Sequence, residues 1–329
     1  MLTRTHARLT RIPTPMAGLA LGIASLGWCW ENALPLDGNA KLLGALLALP
    51  LLLMVMVKFV RFPHLLWQDL AHPVVGSVLP TLAMGWMVVS HALGQWHHQA
   101  GQILWLLAIS LHLSFLGCFI FHRVQHFRLE QMVPSWFVPP VGVVVADVTF
   151  PGGELRPLAE ALLQLGLGAY AFLLPVMLYR LIFERDIPAP AKPTLAIMAA
   201  PASLCLAGYL TVASTPHPLL VALLAGIAVL MTLLIYVAFL HLLRLPFNPG
   251  YAAFTFPMVI GATALYKLAA QLTSWGMAEQ YVSQIRTLAW LELLVATVVV
   301  GYVALRYLHH YQPRRQPQTA PLATSTGKL

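Results

Sequence analysis

The chain has 329 residues, of which 59% are hydrophobic and only 9% charged, and its formal net charge is +8. Soluble domains carry about 25% charged residues, so a soluble fold is excluded and an integral membrane protein is expected. The apolar runs are too long and too free of alternation for a barrel built from strands of about ten residues.

Ten apolar segments follow one another, at 14–32, 39–60, 74–94, 101–122, 136–150, 157–183, 194–213, 218–243, 251–272 and 281–308. The fifth is short against the ~20 residues that a spanning helix needs. The first follows Arg4, Arg8 and Arg11 as a signal peptide would, but it ends in Trp28-Cys29-Trp30-Glu31 with no small-residue cleavage site. It is read as an uncleaved helix. Gly18 and Gly22, four apart, have the small-xxx-small spacing that lets helices approach closely. They serve either that packing or the accommodation of a large side chain opposite.

Prolines mark the odd-numbered segments: Pro80, Pro139–Pro140, Pro201 and Pro257 interrupt the third, fifth, seventh and ninth, and Pro15 opens the first. Pro50 and Pro175, in even segments, break the parity. A proline inside a helix kinks it and frees a carbonyl, which in lipid needs a partner in a neighbouring helix or a water-filled cavity. Kinked inner helices around a cavity, with straighter helices outside them, are therefore expected.

With the N-terminus inside, fifteen lysines and arginines fall on the cytoplasmic side and four, Lys41, Arg156, Lys267 and Arg286, on the outer side. This bias sets the orientation and places both termini in the cytoplasm. The basic residues are spread over short segments, which speaks against a nucleic-acid surface. Residues 1–311 read as one membrane domain, and 312–329, rich in Pro, Gln, Thr and Ser, as a disordered cytoplasmic tail.

Cys29, Cys118 and Cys205 all lie in apolar segments, so a disulfide framework is not expected. The thirteen histidines cluster at segment ends, and His112 is the clearest one in the interior. No matched pair of histidines supports a haem or metal enzyme, and no nucleotide loop or nucleophile–base spacing supports another kind. No metal or cofactor is expected. Asp147, Glu160, Lys267, Arg286 and Glu292 all map to the outer half, which leaves the midplane nearly free of charge. That argues against a proton relay at the centre and against a cation pathway with an acidic ring.

The most specific string is Phe254-Thr255-Phe256-Pro257-Met258. Phe254 reads as packing. Phe256 precedes the kink residue, where a bulky ring can block a narrow pore and dewet it. Thr263 and Lys267 follow Phe256 by seven and eleven residues, on the same helix face, with Lys267 roughly 16 Å farther out. Lys267 either faces the pore and attracts anions, or snorkels to the interface, or pairs with Asp147 or Glu292.

Several strings in order carry a family resemblance: Leu21-Gly22, Arg61-Phe62-Pro63-His64, His72-Pro73, Pro134-Ser135-Trp136-Phe137-Val138-Pro139, Ala200-Pro201-Ala202 and Phe254-Thr255-Phe256-Pro257. Through them the chain, over about 14–308, resembles the tellurite-resistance/dicarboxylate-transporter family. That family includes bacterial TehA-like proteins, fungal malate permeases and plant guard-cell slow anion channels. The resemblance implies an all-α membrane fold of ten helices in five hairpins, a central pore lined by the odd helices, and a homotrimer with one pore per protomer. It implies that Phe256 is the gate, that Gly18 is the inner-helix glycine near that ring, and that Pro80, Pro139, Pro201 and Pro257 sit at inner-helix kinks. Val143-Val144-Val145 stands where many bacterial members have small polar residues, and implies a more apolar pore wall. The expected protein is an anion channel or permease of a bacterial inner membrane that passes small inorganic or carboxylate anions. The alternatives are a proton-coupled C4-dicarboxylate (malate) carrier or a tellurite transporter and, remotely, a membrane haem or metal enzyme.

Overall fold

The computed structural model describes residues 9–184 and 187–311. Arg4, Arg8, Arg185, Arg314, Arg315, Lys328 and the tail from Gln312 onward lie outside these ranges. Among the described residues every regular element is helical.

Ten segments run in chain order: α1 Met16–Ala33, α2 Asn39–Arg61, α3 Val75–Gly94, α4 His98–Gln125, α5 Pro134–Val148, α6 Gly153–Phe183, α7 Ala189–Val212, α8 Pro218–Leu242, α9 Pro249–Ser274 and α10 Glu279–Tyr311. Among the described residues, eight are long and apolar enough to cross a membrane. The other two are α1, whose last turn carries Glu31 and Asn32, and the shorter α5, which is built from separate helical turns.

The odd segments form a closed ring, in which α1 packs on α3, α3 on α5, α5 on α7, α7 on α9, and α9 back on α1. Each even segment pairs with the odd one before it and also touches the next odd one round the ring. Five hairpins thus repeat with the even helices seated in the outer grooves. Burial follows this plan: in α3, α7 and α9, 78–83% of the most apolar stretch is buried, against 28–39% in α2, α4, α6, α8 and α10. Large apolar side chains such as Leu47, Leu107, Phe172, Val237 and Val298 are exposed on the even helices. In water such a belt would drive aggregation; here it is the surface offered to lipid.

The hairpins are fastened by local chemistry. Gly27 of α1 and Gly44 of α2 face each other so closely that a Cβ on Gly44 would stand 3.0 Å from the Gly27 Cα, the close backbone approach that small residues permit. At their turn, where Asp37 and Gly38 have positive φ, the Glu31 carboxylate accepts from the N–H groups of Gly38, Ala40 and Lys41 at 3.0, 2.8 and 3.2 Å. These include free N–H groups of the first turn of α2, where a negative charge is favourable. At the opposite end, Lys58 donates to the Thr14 hydroxyl at 3.0 Å and pairs with Asp69 at 3.4 Å, and Thr14 donates to Asp69. Asp69 lies on the short helix Pro63–Ala71, so the start of α1 is tied to the segment that links α2 to α3.

The prolines do not kink continuous α-helices, as the sequence reading expected. They stand where one kind of helix gives way to another. Pro15 and Pro80 are the N-cap residues of the α-helical stretches Met16–Ala33 and Thr81–Gly94. Pro139 is in the first turn of Val138–Val141, after a 3-10 turn at Pro134–Phe137. Pro201 begins Ala200–Val212 after eleven residues of 3-10 helix, Ala189–Ala199. Pro257 is in the first turn of Thr255–Ser274, after 3-10 helix at Pro249–Phe254. The reason is the missing N–H: in a helix's first turn that group has no intrahelical partner to lose, so proline is tolerated there. Pro50 and Pro175, by contrast, do lie inside the long helices α2 and α6.

Candidate functional site

At the level of these helix junctions the ring encloses a cavity of about 50 Å³. All five odd segments line it and no even one does: Gly18 from α1, Thr81 from α3, Phe137 from α5, Pro201 from α7 and Phe256 from α9 are among the contributors. A second cavity of about 20 Å³ is lined by residues farther along the same helices, including Ser25, Trp28, Val88, Thr149 and Thr263. Each has room for at least one water. Two residues, Leu204 and Phe256, line both. Their side chains therefore stand between the inner cavity and the outer one.

Among the described residues, no Asp, Glu, Lys, Arg or His lines either cavity. The inner lining is nearly all hydrocarbon, with Thr81 its one hydroxyl, and that hydroxyl donates to the Val78 carbonyl at 2.8 Å. The outer lining is more polar. Thr149 and Thr263 donate to the carbonyls of Val145 and Val259 at 2.8 and 3.0 Å, and the Ser25 hydroxyl has no hydrogen-bond partner among the described residues. Four α-helical stretches begin at the inner cavity: those starting at Met16, Thr81, Ala200 and Thr255. The first N–H groups of these stretches already donate to the preceding turn: those of Met16, Ala17 and Gly18 to Pro13, Thr14 and Pro15 at 3.0, 3.2 and 2.9 Å, that of Leu82 to Leu79 at 3.0 Å, that of Ala200 to Ile197 and that of Thr255 to Ala252. Among the described residues the cavity wall carries no charged side chain.

Phe256 is held from behind by α1. The Thr255 hydroxyl donates to the Gly18 carbonyl at 3.2 Å and to the Ala252 carbonyl at 2.7 Å. Gly18 itself borders the cavity with ordinary space about it, since a Cβ there would be 3.5 Å from the Ala252 Cβ. The tight position is Gly22, where a Cβ would overlap the Thr255 side chain and lie 3.3 Å from the Phe256 nitrogen. The sequence reading assigned the neighbour of the ring to Gly18; the close backbone contact belongs to Gly22, one turn along α1. Phe254 is fully buried against Phe239 and Tyr251, and faces away from the cavities.

His112, fully buried on α4, donates from its Nε2 to the Pro139 carbonyl at 2.8 Å. A histidine in the apolar interior thus serves a carbonyl at a helix junction, as the absence of water requires. Among the described residues no group of three His, Cys, Asp or Glu side chains is placed to hold a metal. Of Val143, Val144 and Val145, only Val145 borders a cavity; Val144 packs against Gly166 and Gly208.

Of the remaining sequence candidates, Pro201 and Pro257 line the inner cavity and Thr263 the outer one, whereas Pro80, Pro139 and Lys267 border neither. Lys267 is half-buried one turn beyond Thr263. It forms no ion pair with Asp147 or Glu292: among the described residues the ion pairs are Lys58–Asp69 and Arg286–Glu279. Leu204 escaped the sequence reading, because nothing distinguishes it from the other leucines of an apolar helix.

The sequence profile of the voltage-dependent anion channel family matches residues 12–319. The chain belongs to that family. It is also similar to two proteins of Methanocaldococcus jannaschii that are named uncharacterized transporters. One is 25% identical over 234 residues, covering 63% of this chain and 68% of that protein. The other is 24% identical over 242 residues, covering 64% and 69%. Family and relatives make this a multi-pass membrane protein of the anion channel and transporter class rather than an enzyme. The family match spans all ten segments, so the ring of odd helices and its two cavities lie wholly within it.

Proposed function

We propose that the protein is a gated anion channel whose pathway follows the axis of the five odd helices and is closed by Phe256. The observation that carries this reading is that Phe256, with Leu204, borders both cavities. A phenyl ring at a constriction blocks an ion sterically and repels the water that would accompany it. Among the described residues the wall carries no fixed charge that would trap an ion. That suits a channel, in which an ion must leave as readily as it enters. Among the described residues, the lining lacks the titratable group that proton-coupled uptake of a dicarboxylate or tellurite would use, and this favours passive flow.

The reading includes ten membrane crossings, with α1 and the short α5 completing the ring, both termini in the cytoplasm of a bacterial inner membrane, and a homotrimer with one pathway per protomer. Thr263 and Gly18 are wall residues of that pathway. Proteoliposomes separate the two transport modes: under the channel reading the current reverses at the anion equilibrium potential at every pH gradient. Net malate accumulation driven by a pH gradient would replace the channel by a carrier.

A further inference from the structure

One arginine at the end of an outer helix is held by aromatic rings alone. Arg306 lies in the last two turns of α10, against Phe247 of the α8–α9 link and Tyr251 of α9. Its guanidinium carbon stands 5.5 Å from the centre of the Phe247 ring, 6.0 Å from that of Tyr251 and 5.8 Å from that of Tyr302. The link is fastened to α10 on both sides of this residue. Tyr251 and Tyr302 pack with ring centroids 6.4 Å apart, Phe247 and Tyr307 with centroids 5.4 Å apart, and the Tyr307 hydroxyl donates to the Pro249 carbonyl.

Rings attract the positive charge, but they offer no oxygen to the five N–H donors of a guanidinium. Among the described residues Arg306 has no hydrogen bond, and the ion pairs there are Lys58–Asp69 and Arg286–Glu279. The side chain is half-buried, so it is open to a molecule from outside the bundle. Its level in the membrane follows from its neighbours. Leu305 and Leu308 of α10 are 67% and 61% exposed, and Leu240 near the end of α8 is 69% exposed. Just beyond these leucines the exposed side chains are Arg244, His309 and His310. Arg306 therefore sits where hydrocarbon gives way to headgroups, the level at which tyrosines collect and long basic side chains reach outward.

We propose that Arg306, framed by Phe247, Tyr251 and Tyr302, binds the phosphate of an anionic phospholipid in the adjoining leaflet. The planar fork of a guanidinium matches two phosphate oxygens, and the rings place it without taking up its donors. A lipid is the source, rather than a soluble phosphate, because Leu240, Leu305 and Leu308 offer acyl chains a surface beside the cation. Arg244, three positions before Phe247, adds a second positive charge at the same link. The proposal uses only the placement of the chain in a membrane and does not depend on the Phe256 gate.

The test uses the purified full chain in a non-ionic detergent, titrated with phosphatidylglycerol or with phosphatidylcholine of the same acyl chains, with thermal unfolding as the readout. Phosphatidylglycerol raises the Tm of the wild type above the value in phosphatidylcholine. Arg306→Gln weakens the phosphatidylglycerol midpoint about fivefold, the contribution of one basic residue at an anionic surface. Arg61→Gln, which removes an exposed arginine from the end of α2, leaves it unchanged. Should Arg306→Gln not fold, Arg306→Lys, which keeps the charge and loses the fork, must weaken the midpoint at least about threefold, the loss of one hydrogen bond. A wild type that does not distinguish the two lipids, or an Arg306 variant with an unchanged midpoint, overturns the site. So does an Arg61→Gln variant that loses as much as Arg306→Gln, since the attraction is then diffuse. Soluble glycerol phosphate leaves the Tm unchanged; a shift equal to that of phosphatidylglycerol assigns Arg306 to a soluble phosphate and overturns the lipid site.

Discussion

Phe256 of α9 and Leu204 of α7 are the two residues that border both the inner and the outer cavity. They come from neighbouring helices of the ring, 52 positions apart, and in the proposed reading they form the septum that closes the pathway. Phe256 contributes the larger side chain, so Leu204→Ala is expected to open the pathway less than Phe256→Ala does. The double variant conducts most. Macroscopic anion currents at matched surface expression rank the three; a Leu204→Ala current equal to the wild-type background removes Leu204 from the septum.

Gly22 sets the distance between α1 and the Phe256 turn. Gly22→Ala forces the Thr255 side chain and the Phe256 backbone to move, with a cost of about 1–3 kcal/mol for overpacking. Gly18→Ala adds a methyl at ordinary contact distance and changes stability by less. Thermal unfolding of the two variants in the same detergent compares them, and a Gly18→Ala variant less stable than Gly22→Ala contradicts the assignment.

His112 satisfies the Pro139 carbonyl at the α5 junction. His112→Phe leaves that carbonyl buried and unpaired, with a loss of about 1–3 kcal/mol, and His112→Gln, which keeps a donor, recovers part of it. Chemical or thermal unfolding of purified protein reads the difference. Equal stability of the Phe and Gln variants would show that the hydrogen bond carries no weight.

Much of this arrangement was legible in the sequence, for identifiable reasons. The alternation of inner and outer helices could be read because proline is restricted to places where an N–H is dispensable, and Pro15, Pro80, Pro139, Pro201 and Pro257 recur once per hairpin. What those prolines do was misread. A kink and a helix start have the same sequence signal, and the 3-10 stretch Ala189–Ala199 ahead of Pro201 itself contains Pro190 and Pro193. Phe256 stood out because it adjoins Pro257. Leu204 and Gly22 had no such marker, since their roles depend on what stands opposite them. Lys41 was read only as an outer-side basic residue; its place 5.3 Å from the Trp28 indole depends on the packing of α2 on α1.

The most direct test of the account is the anion current of Phe256→Ala beside the wild type, recorded in lipid bilayers under a salt gradient. The account predicts a closed wild type and a constitutive current in the variant, reversing at the anion equilibrium potential. A folded, membrane-inserted Phe256→Ala protein that stays as silent as the wild type, or a current that reverses at the cation potential, contradicts it.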